Sequence, residues 1–519
     1  MSSLETSRGN WGSKIGFIVA AAGSAIGLGN IWRFPYVAGE NGGAAFVLIY
    51  IIFVILIGLP VMIAELSIGR NTEKNPVGAF KKLFPNSHWK IVGGIGVLTG
   101  IGILSFYAVI AGWTFHYAVK SFTTPNYIKY SEEQGAKLWE EFVADQKNKV
   151  SVIFEKKLSK KLIDKITDEE IDNIWNQFSQ TEEFNTFKQK KIGQLHTDKI
   201  FNNFVTDRFL PILYLFIFIG LTCAVVMGGV SAGIERWSKI LMPVLFLLLI
   251  ILAIRSITLE GASSGLEFYL QPDFSKIKLE TFARALGQAF FSLSLGMGTM
   301  ITYGSYISKR DNLVTSAGSV VFFDTLIAFL AGLVMFPALF AMGMDPAGGT
   351  GLVFVVLPSI FAKMPGGMFF GAGIFLLLCI AALTSTISLL EVPVAYLVDD
   401  KGWSRKKATI WMGIAAFTFG VPSAISLGAN DWLSKIPFLK VGFLDFMNAF
   451  FGNYSLSIGS LFIALFAGYK WGVKAVNHEI EQEGNVFKLK MIWAFLIRFI
   501  CPIAIVIILG YIIITRKYF

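Results

Sequence analysis

Long apolar runs recur along almost the whole chain, and they constrain its fold more than any other feature. Charged or turn-forming residues bound each run. The eleven runs lie near residues 14–38, 43–68, 91–120, 209–227, 236–257, 282–307, 314–343, 367–397, 407–427, 442–468 and 491–515. A helix needs roughly 20 apolar residues to cross about 30 Å of hydrocarbon. The pattern therefore predicts eleven transmembrane spans.

The composition agrees with a membrane protein, because 54% of the 519 residues are hydrophobic and only 15% are charged. Only helices and closed barrels satisfy every backbone polar group in lipid. Barrel strands are short and alternate apolar with polar residues, whereas these runs are long and uniformly apolar. The sequence thus predicts an all-α polytopic membrane protein in which residues 1–519 form a single domain.

Basic residues in the short loops predict the orientation. They collect on alternate loops, at Arg8 and Lys14, 70–82, Arg236 and Lys239, 309–310 and 401–407. Cytoplasmic loops carry an excess of Lys and Arg, so we predict a cytoplasmic N-terminus and, with eleven spans, an extracellular C-terminus in the inner (plasma) membrane of the cell. The same bias accounts for the net charge of +10. We therefore predict no nucleic-acid partner.

The segment 122–208 interrupts the series of apolar runs, because it is polar and rich in Lys and Glu. The alternation of sides places it outside the cell, and loops longer than about 60 residues translocate largely regardless of charge. Short amphipathic pieces occur near 138–143 and 171–178. We predict an extracellular insertion of solvated helices and assign it no specific function.

Two of the runs are interrupted at mid-membrane depth. The first contains GSAIGLGN at 23–30, and the sixth contains FFSLSLGMGT at 290–299. Each glycine weakens a helix by about 1 kcal/mol relative to alanine. Close helix packing would account for the glycines but not for the hydroxyls and Asn30 clustered with them. Because unwound backbone at this depth is tolerated only where it lines a cavity, the two breaks predict one.

The positions of the breaks suggest an inverted repeat. The interrupted runs are the first and the sixth of the series. Because they are separated by an odd number of crossings, the chain passes through the membrane in opposite directions in the two runs. Breaks at corresponding positions of two halves indicate a transporter's binding site. The first repeat would cover 14–257, including the insertion 122–208, and the second 282–468. The last run, 491–515, would be additional.

The residues around the first break carry a specific motif. Residues 27–35 read GLGNIWRFP and ENGG follows at 40–43, with further matching motifs at 58–70, 107–113, 288–306 and 381–400. On these motifs the chain resembles the neurotransmitter:sodium symporter family, except over 122–208. The resemblance implies a five-plus-five inverted-repeat (LeuT-type) bundle with broken helices 1 and 6. It also implies sodium-coupled import of an amino acid by alternating access.

The resemblance further implies a substrate site between the breaks. Relatives that carry monoamines have Asp where this chain has Gly27, so an amino acid is favoured. Met297 stands where the family's bacterial leucine transporter has a bulkier aromatic residue, and methionine adapts its shape, which favours a large, aromatic substrate. The implied substrate-binding residues are Ala25, Leu28, Gly29, Ile103, Tyr107, Phe291, Ser292, Ser294, Met297, Ser385 and Leu389.

Two sodium sites built from oxygen atoms are also implied, since Na⁺ is a hard cation. The first would use Ala25, Asn30, Ser292, Asp324 and the substrate carboxylate, and the second Gly23, Ile26, Ala381, Thr384 and Ser385. Taken alone, Thr384 and Ser385 could equally be hydroxyls that bond back to the preceding helical turn. Chloride-dependent relatives have a serine where this chain has Ala328. Asp324 supplies a fixed negative charge instead, so we predict chloride-independent transport.

Two gates complete what the resemblance implies. The outer gate would pair Arg33 with an acid, but the aligned position holds Asn448, which leaves Asp445 one turn away as the alternative partner. The inner gate would consist of Arg8 and Trp11 facing Ser305, Tyr306 and Asp399.

An enzyme, a channel and a carrier of another substrate are the alternatives to this prediction. An enzyme is disfavoured, because the four histidines do not cluster and no metal or nucleophile spacing occurs. A channel stays open as an alternative, since broken helices also line pores. Among carriers, the alternative is a sodium- and chloride-coupled carrier of an osmolyte or neurotransmitter-like substrate. The sequence also leaves an oligomer open.

Overall fold

The computed structural model describes residues 9–124, 127–145, 147–150, 152, 168–344, 353–361, 366–437 and 439–515, and no β-strand occurs within these ranges. The helices are numbered in chain order. They are α1 (Lys14–Ala25), α2 (Gly29–Glu40), α3 (Ala44–Thr72), α4 (Pro76–Leu83), α5 (Lys90–Thr123), α6 (Glu132–Ala144), α7 (Asp168–Ser179), α8 (Glu182–Val205), α9 (Leu210–Met227), α10 (Val230–Ile257), α11 (Ala262–Leu270), α12 (Leu279–Ser292), α13 (Thr299–Gly304), α14 (Leu313–Ala341), α15 (Val356–Phe361), α16 (Gly367–Lys401), α17 (Arg405–Ala424), α18 (Asp431–Ser434), α19 (Phe443–Lys470), α20 (Val473–Ile480) and α21 (Lys490–Thr515).

Most of the predicted spans are long apolar helices. Among the described residues, α3, α5, α9, α10, α14, α16, α19 and α21 are long and apolar enough to cross a membrane, and α1 with α2 forms a ninth span bent by 48°. The predicted runs 282–307 and 407–427 are helical too, as α12 with α13 and as α17. These two are shorter or less apolar. The prediction of an all-α membrane bundle is confirmed, and the total of eleven spans stays a prediction.

Both predicted breaks are present. In the first, α1 ends at Ala25 and is followed by Ile26 in an extended conformation. In the second, α12 ends at Ser292, and Ser294, Gly296 and Gly298 have φ angles of 54°, 79° and 77°, in the left-handed region that glycine tolerates best. A Cβ atom on Gly296 would lie 2.2 Å from the carbonyl oxygen of Leu456. The glycine thus allows α19 to approach the unwound backbone directly.

The broken helices lie inside the bundle. α1 packs against α10, α14 and α16, while α13 packs against α3 and α16 runs along α5. Large apolar side chains are exposed instead on peripheral helices, including Leu247, Ile251 and Ile254 on α10 and Ile503 and Val506 on α21. In a bilayer these side chains would face lipid, so the unwound backbone is shielded by protein. The predicted bounds of the two repeats are not tested by this arrangement.

The insertion 122–208 has a small core of its own. Trp139, Trp175, Phe178 and Phe184 are buried together, on helices that include the predicted pieces 138–143 and 171–178. Its last helix, α8, docks on the segment before α16. The Thr197 hydroxyl donates to the Val355 carbonyl at 2.8 Å, and neighbouring rings stack beside this bond, with Phe201 and Phe354 centroids 5.6 Å apart.

Candidate functional site

A cavity lies between the two breaks. It encloses about 300 Å³ of empty space, counting the part that opens to solvent. Its lining consists of Ser24, Ala25, Gly27, Gly29, Ile103, Tyr107, Phe291, Ser294, Met297, Ser385 and Leu389. Every residue predicted to bind substrate is in this lining except Leu28 and Ser292. Ser24 and Gly27 also line the cavity but were not predicted to bind substrate. Both lie in the interrupted stretch 23–30, where the glycine and hydroxyl residues had indicated a cavity.

Polar groups of the first break meet α5 and α16 at one end of the cavity. The Leu28 amide donates to the Tyr107 hydroxyl at 2.7 Å. A Cβ atom on Gly27 would lie 2.3 Å from the Ser385 hydroxyl and 2.5 Å from the Tyr107 hydroxyl. Residue 27 therefore has no room for a side chain. The Leu28 amide faces the Tyr107 hydroxyl directly, whereas the Gly27 amide donates to Asn30 Oδ1 at 3.2 Å. Leu28 thus contributes its backbone rather than its side chain.

One buried cluster of polar atoms, which we call the first oxygen cluster after the carboxylate and hydroxyl oxygens in it, joins three predicted sodium ligands. Asn30 contributes its side-chain amide nitrogen to this cluster, and its Oδ1 accepts from the Gly27 backbone amide at 3.2 Å. The Asn30 amide donates to Asp324 Oδ1 at 2.8 Å and to the Ser292 hydroxyl at 3.0 Å. Ser292 donates to the Asp324 carboxylate at 2.8 Å. All three are almost fully buried, and Ala25 lines the adjoining cavity. Carboxylate, amide and hydroxyl oxygens are the ligands that a hard cation prefers.

Tyr50 is a member of this cluster that the sequence did not indicate. Its hydroxyl donates to Asp324 Oδ2 at 3.1 Å and lies 3.1 Å from the Ser292 hydroxyl. A tyrosine in an apolar run carries no pattern that separates a ligand neighbour from a packing residue. The contact matters because a carboxylate in a dry interior is costly unless hydrogen bonds or a cation compensate it.

A second oxygen cluster lies where α16 faces the first break. The Ser385 hydroxyl donates to the carbonyls of Ser24 at 3.2 Å and Ile26 at 3.4 Å. The Thr384 hydroxyl donates to the Ala381 carbonyl at 3.0 Å and lies 3.5 Å from that of Ile26. A Cβ atom on Gly23 would lie 3.4 Å from the Thr384 Cβ. All five residues of the second predicted set therefore meet, although Thr384 also makes the bond back into its own helix that the sequence left open.

Arg33 closes the cavity on one side, with a partner other than the predicted ones. Its guanidinium lies 4.6 Å from the centroid of the Phe291 ring and donates to the Asn453 amide oxygen at 3.0 Å. Within the described residues neither Asp445 nor Asn448 makes this contact, which corrects the expected pairing. Asn453 lies in a π-helical turn at Phe450–Ser455, whereas Asp445 and Asn448 lie in the α-helical part of α19 that precedes it. The position aligned with the family's acid therefore does not supply the partner of Arg33.

Trp11 closes the opposite side. Its indole donates to the Tyr303 carbonyl at 3.1 Å, and its ring lies edge-on to the Tyr303 ring at 5.1 Å and the Tyr306 ring at 6.1 Å. Tyr306 in turn donates to the buried Glu391 at 2.8 Å. Trp11 and Tyr306 thus meet as predicted, with Tyr303 and Glu391 as additional members.

The remaining residues predicted at this side are placed as follows. Asp399 accepts from the backbone amide of Asn75 at 2.9 Å. The Ser305 hydroxyl donates to the Thr302 carbonyl at 2.6 Å. Arg8 lies outside the residues that the structure describes.

Comparison with known proteins identifies the chain. The model of the sodium:neurotransmitter symporter family matches residues 8–518. The chain belongs to this symporter family. It is 36% identical to the uncharacterized sodium-dependent transporter YhdH of Bacillus subtilis (strain 168), over 96% of each chain. It is 33% identical to an uncharacterized sodium-dependent transporter of Haemophilus influenzae, over 98% of this chain and 99% of the relative.

A solved structure agrees with this membership. The crystal structure of MhsT in complex with L-phenylalanine is similar to this symporter with a TM-score of 0.78 and 40% sequence identity, over 96% of this chain and 99% of that one. The protein is therefore a multi-pass, sodium-dependent membrane symporter. It is neither an enzyme nor a channel, and it binds sodium and a transported substrate.

Proposed function

We propose that this symporter imports a hydrophobic, preferably aromatic, amino acid by coupling it to sodium through alternating access. The observation that carries this proposal is a cavity in which four hydroxyl residues, Ser24, Tyr107, Ser294 and Ser385, join apolar side chains in the lining, with the freed Leu28 amide beside Tyr107. A free amino acid likewise combines polar and apolar parts, with charged groups at one end and an apolar side chain at the other. Small-molecule sites typically combine mostly apolar walls with a few placed polar groups.

The carboxylate of the substrate would bind at the first break. Leu28 and Gly29 lie where α2 begins, and the start of a helix favours an anion because unpaired amides and the helix dipole point there. The Tyr107 hydroxyl, which already contacts the Leu28 amide, would be the second donor. Gly27 leaves no carboxylate to hold a monoamine, which favours an amino acid.

Four side chains would contact the apolar part of the substrate. Ile103, Met297, Leu389 and Phe291 line the cavity, and Met297 can change shape to admit an aromatic ring. The complex of the similar MhsT with L-phenylalanine supports this choice of substrate. A sodium- and chloride-coupled carrier of an osmolyte or neurotransmitter-like molecule is the alternative.

Two sodium ions would bind, one at each oxygen cluster. The ligands of the first are Ala25, Asn30, Ser292 and Asp324 with the substrate carboxylate, and those of the second are Gly23, Ile26, Ala381, Thr384 and Ser385. Asp324 would provide the negative charge next to the first ion, so transport would not need chloride. Ala328, one turn further along α14, offers no hydroxyl to an anion.

Alternating access would depend on the two closed sides. Arg33 with Asn453 and Phe291 would form the outer gate, and Trp11 with Tyr303 and Tyr306 the inner gate. We place the N-terminus in the cytoplasm, the C-terminus outside the cell and the protein in the plasma membrane, as the basic loops suggest.

Uptake into proteoliposomes tests the substrate proposal. The assay measures radiolabelled phenylalanine uptake with an inward sodium gradient, and unlabelled amino acids, betaine and monoamines compete. We expect sodium-dependent uptake that phenylalanine, tyrosine and tryptophan inhibit best. Strongest inhibition by betaine or a monoamine would favour the alternative carrier.

A further inference from the structure

A buried carboxylate from α10 holds the start of α1. Glu235 is only 3% exposed. Its Oε2 accepts from the backbone amide of Gly12 at 2.6 Å, and its Oε1 accepts from the Ser13 hydroxyl at 3.1 Å and the Lys239 ammonium at 2.6 Å. Ser13 is also the N-cap of α1, because its hydroxyl accepts from the Gly16 amide. Glu235 does not line the cavity, and neither oxygen cluster includes it.

The fit between Glu235 and this segment depends on glycine. A Cβ atom on Gly16 would lie 1.9 Å from Glu235 Oε1, and one on Gly12 would lie 3.3 Å from Oε2. The carboxylate therefore lies directly against the backbone at the amino end of α1. A negative charge is stabilised there by the helix dipole.

Trp11 directly precedes the segment that Glu235 holds. On its other side the indole donates to the Tyr303 carbonyl, and the Trp11 amide donates to the Tyr306 carbonyl at 3.4 Å. The indole is thus fixed between α10, through Gly12 and Ser13, and the end of α13. Because Trp11, Gly12 and Ser13 are consecutive residues, releasing one of these attachments should weaken the other.

We propose that Glu235 is a positioning residue for the inner gate. By binding Gly12 and Ser13 it keeps Trp11 against Tyr303 and Tyr306, and it thereby sets the fraction of molecules that are closed on the inner side. The proposal rests on the inner-gate role of Trp11 under the proposed function. It does not depend on which amino acid is transported.

Hydrogen–deuterium exchange of the full-length protein in sodium-containing proteoliposomes tests the proposal without a substrate. We expect Glu235→Gln to raise exchange about threefold or more in two peptides, 11–17 and 299–307, because both lose protection when the gate opens. Exchange in 279–292, on α12 beyond the second break, should not change. Gly16→Ala keeps every charge but displaces the carboxylate, so it should reproduce the pattern.

Arg236→Gln is the matched control. Arg236 follows Glu235 on α10 but is exposed, and among the described residues it makes no bond to Gly12, Ser13 or Glu235, so exchange should stay at the native level. Lys239 cannot serve as the control, because its ammonium donates to both Glu235 Oε1 and the Ser13 hydroxyl. Faster exchange in 11–17 alone would overturn the proposal, because Glu235 would then stabilise only its own neighbourhood. An equal effect of Arg236→Gln would overturn it as well. If Glu235→Gln raises exchange in every peptide, that variant is misfolded. Gly16→Ala then tests the proposal, which requires faster exchange in 11–17 and 299–307 and unchanged exchange in 279–292.

Uptake distinguishes a failure here from a failure of the proposed function. A native protein that does not transport phenylalanine would contradict the substrate proposal while leaving the exchange pattern intact. A native protein that transports it, with Glu235→Gln unchanged in both peptides, would contradict the gate proposal alone.

Discussion

Single side chains of the two proposed sodium sites should set the sodium affinity. Asn30 and Thr384 each belong to one oxygen cluster, and we expect Asn30→Ala or Thr384→Ala to raise the sodium concentration for half-maximal binding about tenfold. A tenfold change corresponds to about 1.4 kcal/mol, close to the lower end of the range for a hydrogen bond to a charged group, about 1.5–3 kcal/mol. Sodium-induced thermal stabilisation of the purified protein measures this. Ser319→Ala, which removes a half-buried hydroxyl of α14 outside both clusters, is the control. Native sodium affinity in both Asn30→Ala and Thr384→Ala would refute the two proposed sites.

One side chain should set the size of the substrate. Met297 lines the cavity beside the second break, and a phenylalanine there would occupy space that an aromatic substrate needs. We expect Met297→Phe to weaken inhibition of uptake by phenylalanine and tryptophan relative to inhibition by valine and leucine. The ratio of the apparent affinities should change about tenfold. Met297→Leu conserves volume and should leave the order unchanged. An identical competition profile in native protein and Met297→Phe would show that the residue does not contact substrate.

The resemblance to the symporter family implied the side-chain ligands of the first sodium site, whose residue types are unusual for a membrane interior. Asn30, Ser292 and Asp324 are polar groups in apolar runs, and the structure brings them within 3.0 Å of one another. Tyr50 and Asn453 were missed for different reasons. Tyrosine is common in spans as a packing residue, whereas Asn453 lies in a π-helical turn of α19 that composition does not indicate.

At the level of helices, the contact between Arg33 and the π-helical turn of α19 provides a test of the outer gate. Asn453 accepts from Arg33 at 3.0 Å, whereas Asp445 and Asn448 lie on the preceding turns. We expect Asn453→Ala to speed the release of bound substrate to the outside about fivefold, since a hydrogen bond from a charged donor is lost. Asn448→Ala should release substrate at the native rate. The dissociation rate of labelled phenylalanine from protein in sodium buffer measures this, and equal rates in the two variants would contradict the gate.

The breaks were predictable as elements because glycine and hydroxyl residues are poor choices inside a membrane helix. The prediction located both interruptions, at 23–30 and at 290–299. Span boundaries were less certain where composition is mixed: α17 begins with charged residues and carries Pro422 in its last turns. The docking of α8 on 353–361 could not be predicted, because it depends on long-range contacts between Thr197, Phe201 and a segment far away in the sequence.

For the whole carrier, a fixed charge in place of chloride changes how much charge crosses the membrane in each cycle. A chloride ion would travel with two sodium ions and a zwitterionic amino acid and leave a net movement of one positive charge. The Asp324 carboxylate stays in the protein, so two positive charges would move instead. A unit charge about 4 Å from a cation is worth about 4 kcal/mol at an effective dielectric constant near 20, enough to replace the anion in binding sodium.

We therefore expect uptake by the native protein to be equal in chloride and gluconate. The double variant Asp324→Asn with Ala328→Ser loses the carboxylate and gains a hydroxyl. Its uptake in gluconate should be at least about tenfold lower than that of the native protein, and chloride should restore part of the uptake. The single variant Ala328→Ser retains Asp324 and should behave as the native protein does. If the native carrier stops when chloride is withdrawn, Asp324 does not supply the charge, and sodium binding requires a mobile anion instead.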